Sequence, residues 1–257
     1  MNNVIDKSNS YEFAHILLDM GEAMLCSGAE INRVEDTFLK IGASYKVKEI
    51  NVFVIPALIT LTIRTNDGFE LTQSRRILSK KITTNLYRLE KLNNITHNCR
   101  TKTFSLNELK KLISDSNKPV SIYPFLFGSA LAAASFSVFF GGSIYDGLIA
   151  GTLAFVICFF QRFVSTVVSN RIILSFLCSL LIGALVGMIG QKSSYFHTDK
   201  ILIGDIMLLI PGIAVTISVR DIILGDTISG ALRLVDSMFL TGGLALGFWL
   251  SFGLFGG

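Results

Sequence analysis

Five apolar runs in the second half of the chain constrain it more than any other feature: Tyr123 to Phe140, Ile144 to Phe160, Ile172 to Gln191, Ile201 to Val219 and Ser237 to Gly257. Each is 17 to 21 residues long. A helix rising about 1.5 Å per residue needs about 20 such residues to cross a hydrocarbon layer about 30 Å thick, so all five read as membrane spans. Composition follows the same division. Charged residues number 30 in residues 1–120 and 12 in the remaining 137, while 18 of the 22 glycines and 15 of the 20 phenylalanines lie beyond residue 120. That is the make-up of packed membrane helices. With 51% hydrophobic residues and a mean hydropathy of +0.56, the chain is neither disordered nor collagenous nor a secreted disulfide scaffold.

The expected fold is therefore a membrane α-helical bundle of five transmembrane helices, residues 119–257, preceded by a small cytosolic α+β domain, residues 1–118. In that domain Phe13, Ile16, Leu17, Met20, Met24 and Leu25 form a helical stripe over Tyr11 to Cys26, with Ser10 as the N-cap and Gly28 as the stop. A second helix carries Ile31, Val34, Phe38 and Ile41 and is expected to end at Gly42. The β-branched runs Val47 to Ile55 and Leu58 to Thr65 read as strands, and Asn66-Asp67-Gly68 is a hairpin signal before a third strand near Phe69 to Gln73. Helical spacing resumes over Ile82 to Leu92, and Ser105-Leu106-Asn107-Glu108 is a capping-box signature that opens a helix to about Ser114.

The net charge of +4 sits wholly in the first half, with 17 basic against 13 acidic residues, and these alternate along presumptive helices. No basic face with stacking aromatics emerges, so nucleic acid is not an expected partner. Cys26, Cys99, Cys158 and Cys178 have no metal-ligand spacing and are expected to be reduced; no metal, cofactor or catalytic residue is assigned. No basic region followed by an apolar stretch marks a signal peptide at the N-terminus, which places the first half in the cytosol and the chain in the cell membrane as a multi-pass protein. On that topology the inner loops carry Arg162, Arg171, Arg220 and Arg233, against Lys192 and Lys200 outside.

Few residues in the spans are chemically active. Asp205 lies inside the fourth run, where an ionised carboxylate costs about 2.5–3.5 kcal/mol on insertion scales, so it must face protein or water and is a candidate for binding substrate or exchanging a proton. Asp146, near the outer end of the second run, is either a second such group or an interfacial residue. Pro211 and Gly212 interrupt the fourth span and free backbone carbonyls, with Thr216 and Ser218 offering hydroxyls beyond the break. The segment from Arg220 to Gly230 is too apolar for a free loop and too charged for a span. It is expected to be re-entrant or interfacial, with Asp221 and Asp226 held by Arg220 and Arg233. Small residues four apart, Gly147 with Gly151, Gly183 with Gly187 and Gly243 with Gly247, offer close-packing faces to this chain or to further helices.

Two blocks, GEAMLCSGAEINRVEDTFLKIG from Gly21 to Gly42 and IPGIAVTISVRDIILGDTISGALR from Ile210 to Arg233, resemble the threonine/serine exporter family in its split form. The resemblance implies export of small polar metabolites driven by an ion gradient, a second small membrane subunit, and an assembly of several copies. It places functional weight on Glu30, Arg33, Glu35, Pro211, Gly212, Arg220, Asp221, Asp226 and Gly230. A dicarboxylate such as succinate is the alternative substrate. A membrane-tethered hydrolase recruiting His15, Ser27, Glu22 and Asp36 is the alternative class, although Ser27 lacks the glycine pattern of a nucleophile elbow.

Overall fold

In a computed structural model that describes residues 4–78, 84–117, 121–192 and 195–255, the amino-terminal stripe folds as helix α1, Ser10–Cys26. Its cap lies one residue earlier than expected. Asn9 is the N-cap, and its side chain is spent on the preceding turn, accepting from Asp6 N–H at 2.9 Å and donating to Val4 O at 3.3 Å. Ser10 is buried in the first turn and donates to Lys7 O at 3.0 Å. Gly28, at φ +89°, ends the helix in the left-handed conformation that costs glycine least.

Helix α2, Ile31–Ser44, runs through Gly42 rather than stopping there. The chain reverses at Lys46, φ +55°, and Gly42 is small because a side chain there would collide with Ile50. Strands β1 (Glu49–Ile55), β2 (Leu58–Arg64) and β3 (Glu70–Arg76) form an antiparallel meander in which Val52 pairs Leu61 and Leu61 pairs Gln73. Gly68 at φ +84° closes the expected hairpin. Ile59, Leu61 and Ile63 point to one face and are fully buried against Phe13, Leu17 and Met20 of α1 and Val34, Phe38 and Ile41 of α2. The period-two alternation thus gives the sheet one wet and one dry side.

Helix α3, Leu86–Thr101, starts where the Asn85 side chain accepts from Arg88 N–H at 3.0 Å, and is longer than its apolar spacing suggested. The start expected at Ile82 lies outside the described residues. Helix α4, Leu106–Asp115, has the full capping box: Ser105 Oγ accepts from Glu108 N–H at 3.3 Å and Glu108 Oε2 accepts from Ser105 N–H at 2.9 Å. Leu92, Leu109 and Ile113 complete the core.

The apolar runs become α5 (Ile122–Phe139), α6 (Ile144–Val164), α7 (Arg171–Lys192) and α10 (Thr227–Phe255), with the fourth run divided into α8 (Thr198–Leu209) and α9 (Gly212–Ile223). Among the described residues four helices are long and apolar enough to cross a membrane, or five if α8 and α9 make one broken span. Residues 1–119 with 213–234 form one compact unit, and 120–212 with 235–257 form the other. Residues 213–234 thus pack with the amino-terminal elements, and the boundary expected at residue 118 lies outside the described residues.

Within the second unit, Ala133, Ala150, Ala154, Ile157, Ile182, Val186 and Ile201 form the core. The glycine pairs are used inside the chain. A methyl at Gly151 would lie 3.1 Å from Ala130 O of α5, and one at Gly247 would lie 2.5 Å from Phe176 O of α7. These are the close approaches that small residues allow between membrane helices. Large apolar side chains such as Phe127, Phe163 and Trp249 face outward, 67%, 74% and 75% exposed, as hydrocarbon-facing groups do.

Candidate functional site

The expected site residues fall into two groups, one in each unit. In the second unit Asp205 is fully buried on α8 and, among the described residues, neither carboxylate oxygen has a hydrogen-bond partner. Ser137 Oγ, on α5, is buried and likewise unpartnered. The helix can come this close to α5 because residue 204 is glycine: a methyl there would lie 2.5 Å from Ala133 O and 3.1 Å from Ser137 Cβ. A buried carboxylate without donors is costly, and such groups in membrane helices mark proton or solute sites. The helix ends four residues later, at Leu209. Ile210 leaves the helical region, Pro211 follows, and α9 restarts at Gly212, so the break predicted at Pro211 and Gly212 is present.

Asp146 is different in kind. It occupies the N3 position of α6, where Oδ2 accepts from Ser143 N–H at 2.7 Å and Ser143 Oγ at 2.8 Å, while Ser143 Oγ accepts from Asp146 N–H at 3.2 Å. His197, the N-cap of α8, adds two contacts: its N–H donates to Oδ1 at 3.0 Å and its Nδ1 lies 2.9 Å from Oδ2. A carboxylate has about four acceptor sites, and here four groups face them. Asp146 thus ties the start of α6 to the start of α8, a role for which His197 had no sequence signal.

The second group lies in the amino-terminal unit. Residues 220–230 comprise the last turn of α9, a tight turn through Gly225 at φ +100°, and the first turn of α10. This hairpin packs tightly because Gly230 is small, its missing methyl being 2.6 Å from Ser218 O and 2.9 Å from Ile222 N. It docks on the corner between α1 and α2. Arg220 Nη1 donates to Glu30 Oε1 at 2.7 Å, Arg233 Nη2 donates to Ala29 O at 2.8 Å, and the buried Ser229 hydroxyl lies 3.5 Å from Val54 O.

The carboxylates are held in part as expected. Arg233 Nε forms an ion pair with Asp221 Oδ2 at 3.7 Å, a distance beyond a hydrogen bond, and the Asp221 carboxylate is fully buried. Asp226 is not held by arginine, and its Oδ2 is buried and unpartnered. Arg220 pairs with Glu30 instead. Glu35 accepts from Val54 N–H, and burial, with Asp226 nearby, pushes its carboxyl above the usual carboxylate range. Arg33 and Thr216 are exposed and Ser218 Oγ bonds back to Val215 O at 2.7 Å.

Of the residues a hydrolase would recruit, His15 and Glu22 both approach Arg75, while Ser27 and Asp36 are engaged elsewhere. Ser27 Oγ donates to Ala23 O at 2.7 Å, His15 Nδ1 lies 3.3 Å from Arg75 Nη2, and Asp36 pairs with Lys40. Among the described residues no three His, Cys, Asp or Glu side chains gather to hold a metal.

Several helices of membrane-spanning length and hydropathy, one apolar run broken at Pro211, and a carboxylate buried in that run define a multi-pass membrane protein. The chain belongs to the ThrE family, whose profile, described as "Putative threonine/serine exporter", matches residues 15–255. Over 254 residues it is 21% identical to the threonine/serine exporter of Corynebacterium glutamicum, a match covering 95% of this chain and 52% of that protein. The chain thus spans about half the length of this curated relative. No solved structure matches it.

Proposed function

We propose that the chain is a subunit of a secondary exporter of small polar amino acids, threonine and serine first, driven by an ion gradient and working with a second small membrane protein in a complex of several copies. The observation that carries this reading is Asp205, fully buried in an apolar helix, unpartnered, and five residues before the helix breaks at Ile210. Such a group can take a substrate ammonium or a proton, and broken helices at this depth carry such sites in secondary transporters. A second subunit is supported by the pattern of breaks. Paired repeats need corresponding interruptions, and the sequence holds one proline-glycine break in its apolar runs, at Pro211 and Gly212. The amino-terminal unit sits in the cytosol on this reading, because the four arginines of the loops expected inside outweigh the two outer lysines.

Efflux of labelled threonine from cells preloaded with it, with and without this gene, tests the proposal: deletion slows efflux, and unchanged efflux of threonine and serine overturns it. Flux through liposomes holding the purified chain alone tests the second subunit, since saturable gradient-driven transport without another polypeptide contradicts that part.

A further inference from the structure

One feature of the amino-terminal unit is used neither by its core nor by the hairpin at residues 220–230. Between α1, the start of α3 and α4 lies a cleft of about 700 Å³. This is within the range of about 300–1,000 Å³ typical of small-ligand sites, and larger than a single small amino acid needs. Its walls carry opposite charge. Asp19 and Glu22 project from α1, Arg88 from α3 and Lys110 from α4, while Ser27 and Asn85 add neutral polar groups.

The charges are set apart by the helices that bear them. On the acidic wall Arg75 of β3 pairs with Asp19 and approaches Glu22 at 3.5 Å, and it fixes both carboxylates without itself lining the cleft. Arg88 is positioned by its Nε, 3.4 Å from Ser116 Oγ, and by the Asn85 cap on its backbone N–H. That leaves the two terminal nitrogens of the guanidinium, which present the planar fork that suits a carboxylate. The Ser27 hydroxyl already bonds to a carbonyl, and the paired acidic and basic walls suit recognition of a ligand that carries both charges.

We infer that this cleft binds a zwitterionic amino-acid compound, free or as a short peptide, its ammonium toward Asp19 and Glu22 and its carboxylate toward Arg88 and Lys110. Such a site lies outside the membrane helices and is separate from Asp205, and it would let the level of the compound bias the unit that carries the 220–230 hairpin.

Calorimetric titration of the detergent-purified full chain tests this with four probes: L-threonine, the dipeptide threonyl-serine, N-acetyl-L-threonine and L-threonine methyl ester. Saturable binding of the first or second is expected, and which of the two binds more tightly identifies the source. The acetylated compound lacks the ammonium and the ester lacks the carboxylate, so each should bind at least tenfold more weakly. Glu22→Gln and Arg88→Gln should each weaken binding at least tenfold, and Lys40→Gln, on α2 and outside the cleft lining, should leave it unchanged. Absence of saturable binding, equal binding of the blocked compounds, or a loss of binding in Lys40→Gln as large as in the two cleft variants overturns the inference. The blocked compounds are tested on the unaltered chain, so a variant that fails to fold does not spoil the result. Efflux that depends on Asp205 while the cleft binds nothing sinks this inference and leaves the exporter reading standing; the reverse outcome does the opposite.

Discussion

Replacing Gly230 by alanine probes the packing of the α9–α10 hairpin on which the ion pair to Glu30 and the hydrogen bond to Ala29 O depend. The new methyl would meet Ile222 Cγ1 at 2.5 Å, Ser218 O at 2.6 Å and Ile222 N at 2.9 Å. The first neighbour is a side chain that can turn, but the other two are backbone. The helices must therefore part by about 0.8 Å to bring the Ser218 contact out to ordinary range, in an interior that packs like a crystal. Overpacking of this kind costs about 1–3 kcal/mol. Alanine also favours a helix over glycine by about 0.8–1.0 kcal/mol, which masks part of the loss. Gly242, in the same helix with nothing within 4 Å of its missing Cβ, isolates that gain. The difference between Gly230→Ala and Gly242→Ala is then the overpacking alone, a melting temperature lower by about 2–12 °C at about 2–4 °C per kcal/mol. Thermal unfolding of the purified chain followed by circular dichroism measures it. If Gly230→Ala melts at or above Gly242→Ala, the tight hairpin is refuted.

Two further outcomes follow from the same contacts. Glu35 has a carboxyl pKa raised by burial and by Asp226, so the folded state holds its proton more tightly than the unfolded chain does. Stability is then lost as pH rises from the unfolded value, about 4.3, through the folded one. Glu35→Gln should therefore stabilise the chain at pH 8 and have less effect at pH 4; an advantage that is flat with pH contradicts the assignment. Asp146→Asn replaces an acceptor with a donor among groups that mostly donate, which should cost about 1–3 kcal/mol, whereas His197→Ala removes a single side-chain contact and should cost less. Melting temperatures in the reverse order count against Asp146 as the tie between α6 and α8.

Local chemistry made much of this fold legible. Asn66-Asp67-Gly68 gave the hairpin and Ser105 with Glu108 gave the capping box, because both signals lie within four residues and need no distant partner. The box at Ser143 and Asp146 has the same spacing and is equally readable, yet the sequence reading takes Asp146 as a site carboxylate or an interfacial residue and not as a cap. What failed was non-local. Gly42 resembled a stop because nothing near it in sequence reveals Ile50 across the turn. For residues 220–230 the sequence offers partners only within the segment and at Arg233, whereas Arg220 and Arg233 reach Glu30 and Ala29, about 190 to 200 residues away. Asp205 and the break at Pro211 were legible for an energetic reason: charge and proline are rare enough in apolar runs to stand out singly.

Substrate efflux in an Asp205→Asn variant, matched for membrane abundance with the unaltered chain, tests the central claim most directly. Removing the charge lowers the cost of insertion, so the variant should reach the membrane in full amount. The account predicts normal abundance with threonine efflux reduced to that of the deletion strain, or uncoupled from the ion gradient. Unaltered efflux with unaltered pH dependence would contradict it and move the site away from Asp205.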